Sequence, residues 1–155
     1  MGNYNFRKDL AQEQENMPQL IEELKRCFSF IKEAKRYDGP LSDGDLVITF
    51  NAGLGNFERL AEVKEDFGAH SGNIAIETFG RGKPTGISVT KSDLWISKAY
   101  RGNRQEFLLI PIEILHKACA GKRTIPMGDK GSGTEGYLLR IDILKKIDGV
   151  TCRII

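Results

Sequence analysis

The chain reads as an α/β (α+β) protein with a central mixed sheet flanked by helices. Three observations predict this. The leading segment carries apolar residues at helical spacing. The middle holds short β-branched runs separated by glycine turns, and the end alternates strand-like with helix-like pieces. A length of 155 residues predicts one domain, 1–155, able to bury a real core.

From Pro18 to about Arg36, apolar residues recur at Leu20, Ile21, Leu24, Cys27, Phe28, Ile31 and Ala34. That spacing predicts a helix with Pro18 in its first turn. YDGPLSDGD, 37–45, is turn chemistry and ends it. LVITFN, 46–51, is a β-branched strand, and AGLGN turns away from it. RLAEVKED, 59–66, and GNIAIETF, 72–79, read as two adjacent strands, with ISVTKSDLWIS, 87–97, and EFLLIPI, 106–112, as the next two. A helix is expected from Glu113 to Lys117 or beyond. AGKRTIPMGDKGSGTEG, 120–136, reads as a flexible basic loop, YLLRI as a further strand and DILKKI as a short closing helix.

No apolar run approaches the roughly 20 residues needed to cross a bilayer. The polar N-terminus lacks a signal-peptide core, which predicts a cytoplasmic location. Cys27, Cys119 and Cys152 are far apart, and with His70 and His116 they form no zinc-type spacing, so reduced thiols are expected. Charge is unevenly placed. Residues 1–77 carry 9 Lys/Arg against 14 Asp/Glu, or −5, whereas residues 78–130 carry 10 against 4, or +6. An acid-lined metal site beside an anion-binding surface fits that split, and so do ordinary solvated faces.

Side chains alternate along a strand, so Glu62, Lys64 and Asp66 share a face about 7 Å apart from one to the next. Glu77, on the following strand, reaches the same patch in the right register. Carboxylates so close repel unless a cation neutralises them, and hard oxygen ligands favour magnesium or manganese. A lysine among them can orient a water or stabilise charge on a phosphoryl oxygen. A surface strand with cross-strand ion pairs fits the same residues.

The run AEVKED…SGNIAIETFGRGKPTGISVTKSDLWI also resembles a phage and bacterial group within the PD-(D/E)XK nuclease superfamily. The resemblance rests on Glu62-Val63-Lys64, Asp66, Gly72-Asn73, Glu77, Lys83-Pro84, Gly86-Ile87, Thr90-Lys91 and Asp93. GDKGSGTEGYLLRIDIL is similar to that group's glycine-rich loop and last strand. The resemblance implies a restriction-endonuclease-like sheet whose second and third strands carry the acids. Glu62 and Lys64 would be the (D/E)XK pair. Asp45, heading LVITF, would be the first acid, with Asp43 as second choice. No Pro-Asp dipeptide is present. A second register makes Asp66 and Glu77 the two acids, but Phe79 stands where its lysine should be, so Lys83 or Lys91 would have to substitute. In the first register Asp66 and Glu77 are additional metal-site acids.

Candidate contacts to nucleic acid are Lys83, Thr90, Lys91, Arg101, Arg104, Lys122 and Arg123, joined by Lys98 and Lys130. Ser88, Thr90 and Ser92 would share one strand face, where hydroxyls either meet phosphates or are ordinary strand residues. Trp95 is expected in the core, and His70 in a loop without a role. These readings predict a magnesium- or manganese-dependent DNA endonuclease, phage- or mobile-element-encoded, homing-type or junction-resolving, and at least a homodimer. The alternatives are a non-catalytic nucleic-acid-binding module on the same fold and a phage protein that binds a host protein.

Overall fold

The structure is a computed structural model and describes residues 6–128 and 131–155, with side chains from Asn16 onward. The chain begins with α1 (Phe6–Cys27). Three antiparallel strands follow: β1 (Ile31–Arg36), β2 (Leu46–Asn51) and β3 (Asn56–Asp66). It then leaves this sheet for β4 (Asn73–Gly80) and β5 (Lys83–Pro84), and returns as β6 (Leu94–Arg101), parallel to β3. A hairpin adds β7 (Arg104–Pro111), and α2 (Ile112–Cys119) follows directly. The last elements are β8 (Ile125–Met127), β9 (Thr134–Arg140), α3 (Ile141–Leu144) and β10 (Thr151–Ile154). Two sheets result, a mixed six-stranded one ordered β1-β2-β3-β6-β7-β10 and a four-stranded one ordered β5-β4-β9-β8.

The larger sheet is covered on both faces. Leu20 and Leu24 of α1, and Phe28 just beyond it, pack with Ile48, Ala61, Ile96 and Phe107 on one side. Ile74, Ile76 and Leu139 of the smaller sheet pack with Trp95, Leu108 and Ile110 on the other, where Leu115 and Leu144 complete the cluster. Residues 95–99 of β6 are therefore buried without alternation, as a strand between two layers must be. Among the described residues, no helix is long and apolar enough to cross a membrane.

Several expectations are corrected. The helix does not run from Pro18 to Arg36. It starts at Phe6, encloses Pro18 and ends at Cys27, and IKEAKR is a strand. A β-bulge between Ile31 and Glu33 adds one residue, so Ile31 and Ala34, three apart, both reach the core and mimic helical spacing. Residues 87–93 are not strand. A 3-10 turn, Gly86–Ser88, and an extended loop precede β6, so Ser88, Thr90 and Ser92 share no strand face. The strand bearing Glu77 is not β3's neighbour; it belongs to the other sheet. IPM in the glycine-rich segment forms β8, and TCRI forms a final strand that no expectation included. Trp95 is fully buried and His70 is exposed in the 3-10 turn Ala69–Ser71, as expected.

Candidate active site

Ala61 and Val63 of β3 face the α1 side, so alternation turns Glu62 and Lys64 toward the smaller sheet. Asp45 stands one residue before β2, where its N–H donates to Ala61 O and starts the β2–β3 ladder. Its carboxylate reaches across that ladder. Val63 N–H, between Glu62 and Lys64, donates to Asp45 Oδ2 at 2.7 Å. Lys64 Nζ lies 3.2 Å from Glu62 Oε1. Thr90 Oγ1 shares its single proton between Glu62 Oε2 at 3.3 Å and the Asp43 carbonyl at 3.2 Å.

Burial pushes the Asp45 carboxyl above its ordinary range, against the Val63 N–H and the Lys64 ammonium. Glu62 is also raised, first by burial; Lys64 opposes the shift and the nearby Asp45 charge adds to it. Two desolvated carboxylates therefore share one ammonium. Magnesium and manganese take one or two carboxylates, with waters and phosphate oxygens completing an octahedron, so Asp45 and Glu62 fit such an ion. Among the described residues, no three His, Cys, Asp or Glu side chains gather closely enough to hold an ion by themselves. The expected four-acid set of Asp45, Glu62, Asp66 and Glu77 is thus not assembled.

Asp66 instead ties the sheets together. Its Oδ2 accepts from Ala75 N–H at 2.6 Å and its Oδ1 from Gly68 N–H at 3.1 Å. Burial raises its carboxyl despite both bonds. Glu77 does reach the site, from the opposite wall. Asp45, Glu62, Lys64, Glu77 and Lys83 all line one cavity of about 580 Å³, closed by Met17, Tyr37, Leu41, Pro84, Thr85 and Val89. Glu77 sits where β4 and β9 shift register, a bulge that re-aims a side chain. Gly86, at φ +53, passes so close beneath it that an added Cβ would meet Glu77 O at 2.2 Å. Only glycine permits that approach. Thr85 Oγ1, buried in the wall, has no hydrogen-bond partner among the described residues.

Asp43, the second choice for first acid, is held elsewhere. Lys91 Nζ lies 3.6 Å from its Oδ1, and its carbonyl accepts from Lys91 N–H, Thr90 Oγ1 and Ser92 Oγ.

The basic residues divide. Lys83 lines the cavity, whereas Arg104, Lys122 and Arg123 are exposed. Thr90 serves Glu62 and the Asp43 carbonyl rather than standing ready for a phosphate. Arg101 is not an open clamp: its Nη1 lies 3.1 Å from Glu106 Oε1, a wholly buried carboxylate that Lys145 Nζ also meets at 2.9 Å. Lys98 is buried too, with its Nζ 2.8 Å from Glu23 Oε2 of α1. Lys130 lies outside the described residues. Sequence reasoning missed these pairs, although a charge inside the apolar runs WISKAY and EFLLIPI signals a buried partner. It also missed the apolar wall of Tyr37, Leu41 and Val89, which sits in segments read as turns or strand.

Comparison with family models, with curated proteins and with solved structures yielded no match to this chain.

Proposed function

We propose that the chain is a magnesium- or manganese-dependent endonuclease of the PD-(D/E)XK type, phage- or mobile-element-encoded, that hydrolyses DNA phosphodiester bonds as a homodimer. One observation carries this reading. The bond from Val63 N–H to Asp45 Oδ2 seats the first acid between Glu62 and Lys64, so an acid, a second acid and a lysine from two adjacent strands meet at one end of a cavity. Strand order supports a restriction-endonuclease-like sheet. An antiparallel meander is joined by a parallel fourth strand, and the acids stand just before its second member and on its third in chain order.

Asp45 and Glu62 would hold the divalent ion, which would supply Lewis-acid chemistry at the phosphoryl group and acidify a water near neutral pH. Thr90 and the Val63 N–H each bond one of the two carboxylates, so little reorganisation is needed. The Lys64 ammonium orients the attacking water and stabilises negative charge developing on the phosphate. Lys83, across the cavity, attracts the backbone of the bound strand.

Incubation of supercoiled, linear and branched DNA with magnesium or manganese, against an EDTA control, tests the proposal on a gel. Cutting by the wild type and its loss in Glu62→Gln and Lys64→Ala are expected. Absence of cutting with every divalent cation, or equal cutting by both variants, overturns it. Salt-sensitive binding without cutting favours the non-catalytic module.

A further inference from the structure

Resting on the nuclease reading, we infer that the cavity takes one unpaired nucleobase of the substrate strand, and that Glu77 reads the amino-bearing edge of that base. Apart from the Asp45–Glu62–Lys64 group, much of the lining is apolar: Met17, Tyr37, Leu41, Pro84 and Val89 contribute to it, with Arg36 and Lys83 as cations among them. Leu41 is 62% exposed and Val89 40%, a large apolar area for loops beside a charged centre. Water gains nothing from such walls, whereas a flat aromatic ligand does. The Tyr37 ring lies against the Gly39 backbone, where an added Cβ would clash with it. A ring lining the cavity is a suitable stacking surface, since every base has a π-face.

Size and shape point the same way. About 580 Å³ is ample for a nucleotide and far too confined for a duplex. Glu62 is deeply set, 6% exposed between the two sheets, with Asp45 half-buried. A phosphodiester reaches that depth only if its nucleotide leaves the stack, which is least costly in a single strand, flap, mismatch or junction. The Glu77 side chain lines the cavity while its backbone pairs with Gly136, and a carboxylate there accepts hydrogen bonds. It can accept from the exocyclic amino group of cytosine, adenine or guanine, a group thymine lacks, thymine offering only its N3–H.

Fluorescence anisotropy tests this on the full chain, in EDTA and in calcium. The probes are a short single-stranded oligonucleotide, its duplex, the same strand with one abasic position moved along it, and the homopolymers dC, dA and dT. Single strand should bind at least about tenfold tighter than duplex, with a similar loss when one particular position is abasic. Leu41→Ser, at an exposed loop position, should remove that advantage, and Glu77→Gln should erase a preference for dC or dA over dT. Equal affinity for single strand and duplex, indifference to every abasic position, or unchanged binding by Leu41→Ser overturns the inference. Binding is read apart from hydrolysis. A protein that binds this way but never cuts loses the nuclease reading alone. One that cuts duplex without single-strand preference loses the base pocket alone, and binding to none of the probes removes both.

Discussion

Asp45 and Glu62 divide one ammonium between them, and their desolvation has a measurable sign. A carboxyl whose folded-state pKa is raised contributes stability that is complete below its unfolded pKa and is lost as pH rises through the folded value. At neutral pH without metal, both residues therefore work against folding. Asp45→Asn keeps an oxygen for Val63 N–H and removes the charge. It should raise Tm by about 2–4 °C, roughly what 1 kcal/mol gives at this chain length, while abolishing activity. Differential scanning calorimetry with and without magnesium checks this: the metal should stabilise the wild type and leave the variant unmoved. Since metal binding needs both carboxylates ionised, magnesium affinity should fall with acidification above the ordinary carboxylate range, which titration calorimetry across pH can follow. Basic residues are separable in the same manner. Lys122→Ala/Arg123→Ala should lower the slope of log K against log salt by about 2 for duplex DNA without affecting Tm. Arg101→Ala should lower Tm through its lost Glu106 contact.

At the scale of elements, Glu106 is the fastener. It is fully buried on β7 and joins Arg101 of β6, Lys145 just beyond α3 and Cys152 of β10, whose thiol donates to Oε2 at 3.4 Å. Burial alone would raise its carboxyl, but Lys145, Arg101 and Cys152 outweigh burial and hold it low. Its stabilisation is present above the unfolded carboxylate pKa and is lost only as pH falls through the depressed folded value. Glu106→Ala leaves two cations without their shared partner, so urea denaturation should show a loss of about 3–5 kcal/mol. The same anion forces the Cys152 thiol up to about 11, burial being the larger cause, so that cysteine is no nucleophile at neutral pH. Elements were legible in the sequence where their signal was local. LVITF, IAI and FLLI declared strands through β-branched or continuous apolar runs, and IEILHKA declared a helix. IKEAKR was illegible because its bulge converts strand facing into a three-residue spacing. TCRI and IPM are too short to stand out, since pairing with β7 and β9 creates them. The Glu62–Lys64 spacing is likewise local and readable. That Glu77 faces it from another sheet depends on pairing with a strand some 60 residues later, which no period reveals.

For the molecule as a whole, α1 is held on the six-stranded sheet by apolar contacts around Leu20, Leu24 and Phe28 and by the buried pair of Lys98 and Glu23. Lys98 stays protonated despite its burial, because Glu23 and Tyr100 together outweigh that burial. A buried pair is costly to break and cheap to replace. Glu23→Ala should therefore destabilise by about 3–5 kcal/mol, whereas Glu23→Leu/Lys98→Met together should come within about 1 kcal/mol of the wild type. A double-mutant cycle by chemical denaturation separates the two outcomes. Charge also guards the open side of this sheet. Lys32, Glu33, Lys35 and Arg36 on β1 discourage association along that edge, β10 being the other edge of the sheet.

The parallel pairing of β3 with β6 has a kinetic consequence. Strands 46–51 and 56–66 meet through a short turn, but Ala61–Asp66 cannot align with Leu94–Ala99 until the 67–93 excursion has closed. The Asp45–Val63 contact needs only the β2–β3 pairing, whereas the Thr90 contact to Glu62 needs the whole excursion in place. A chain with that pairing alone would carry both carboxylates without the cavity around them.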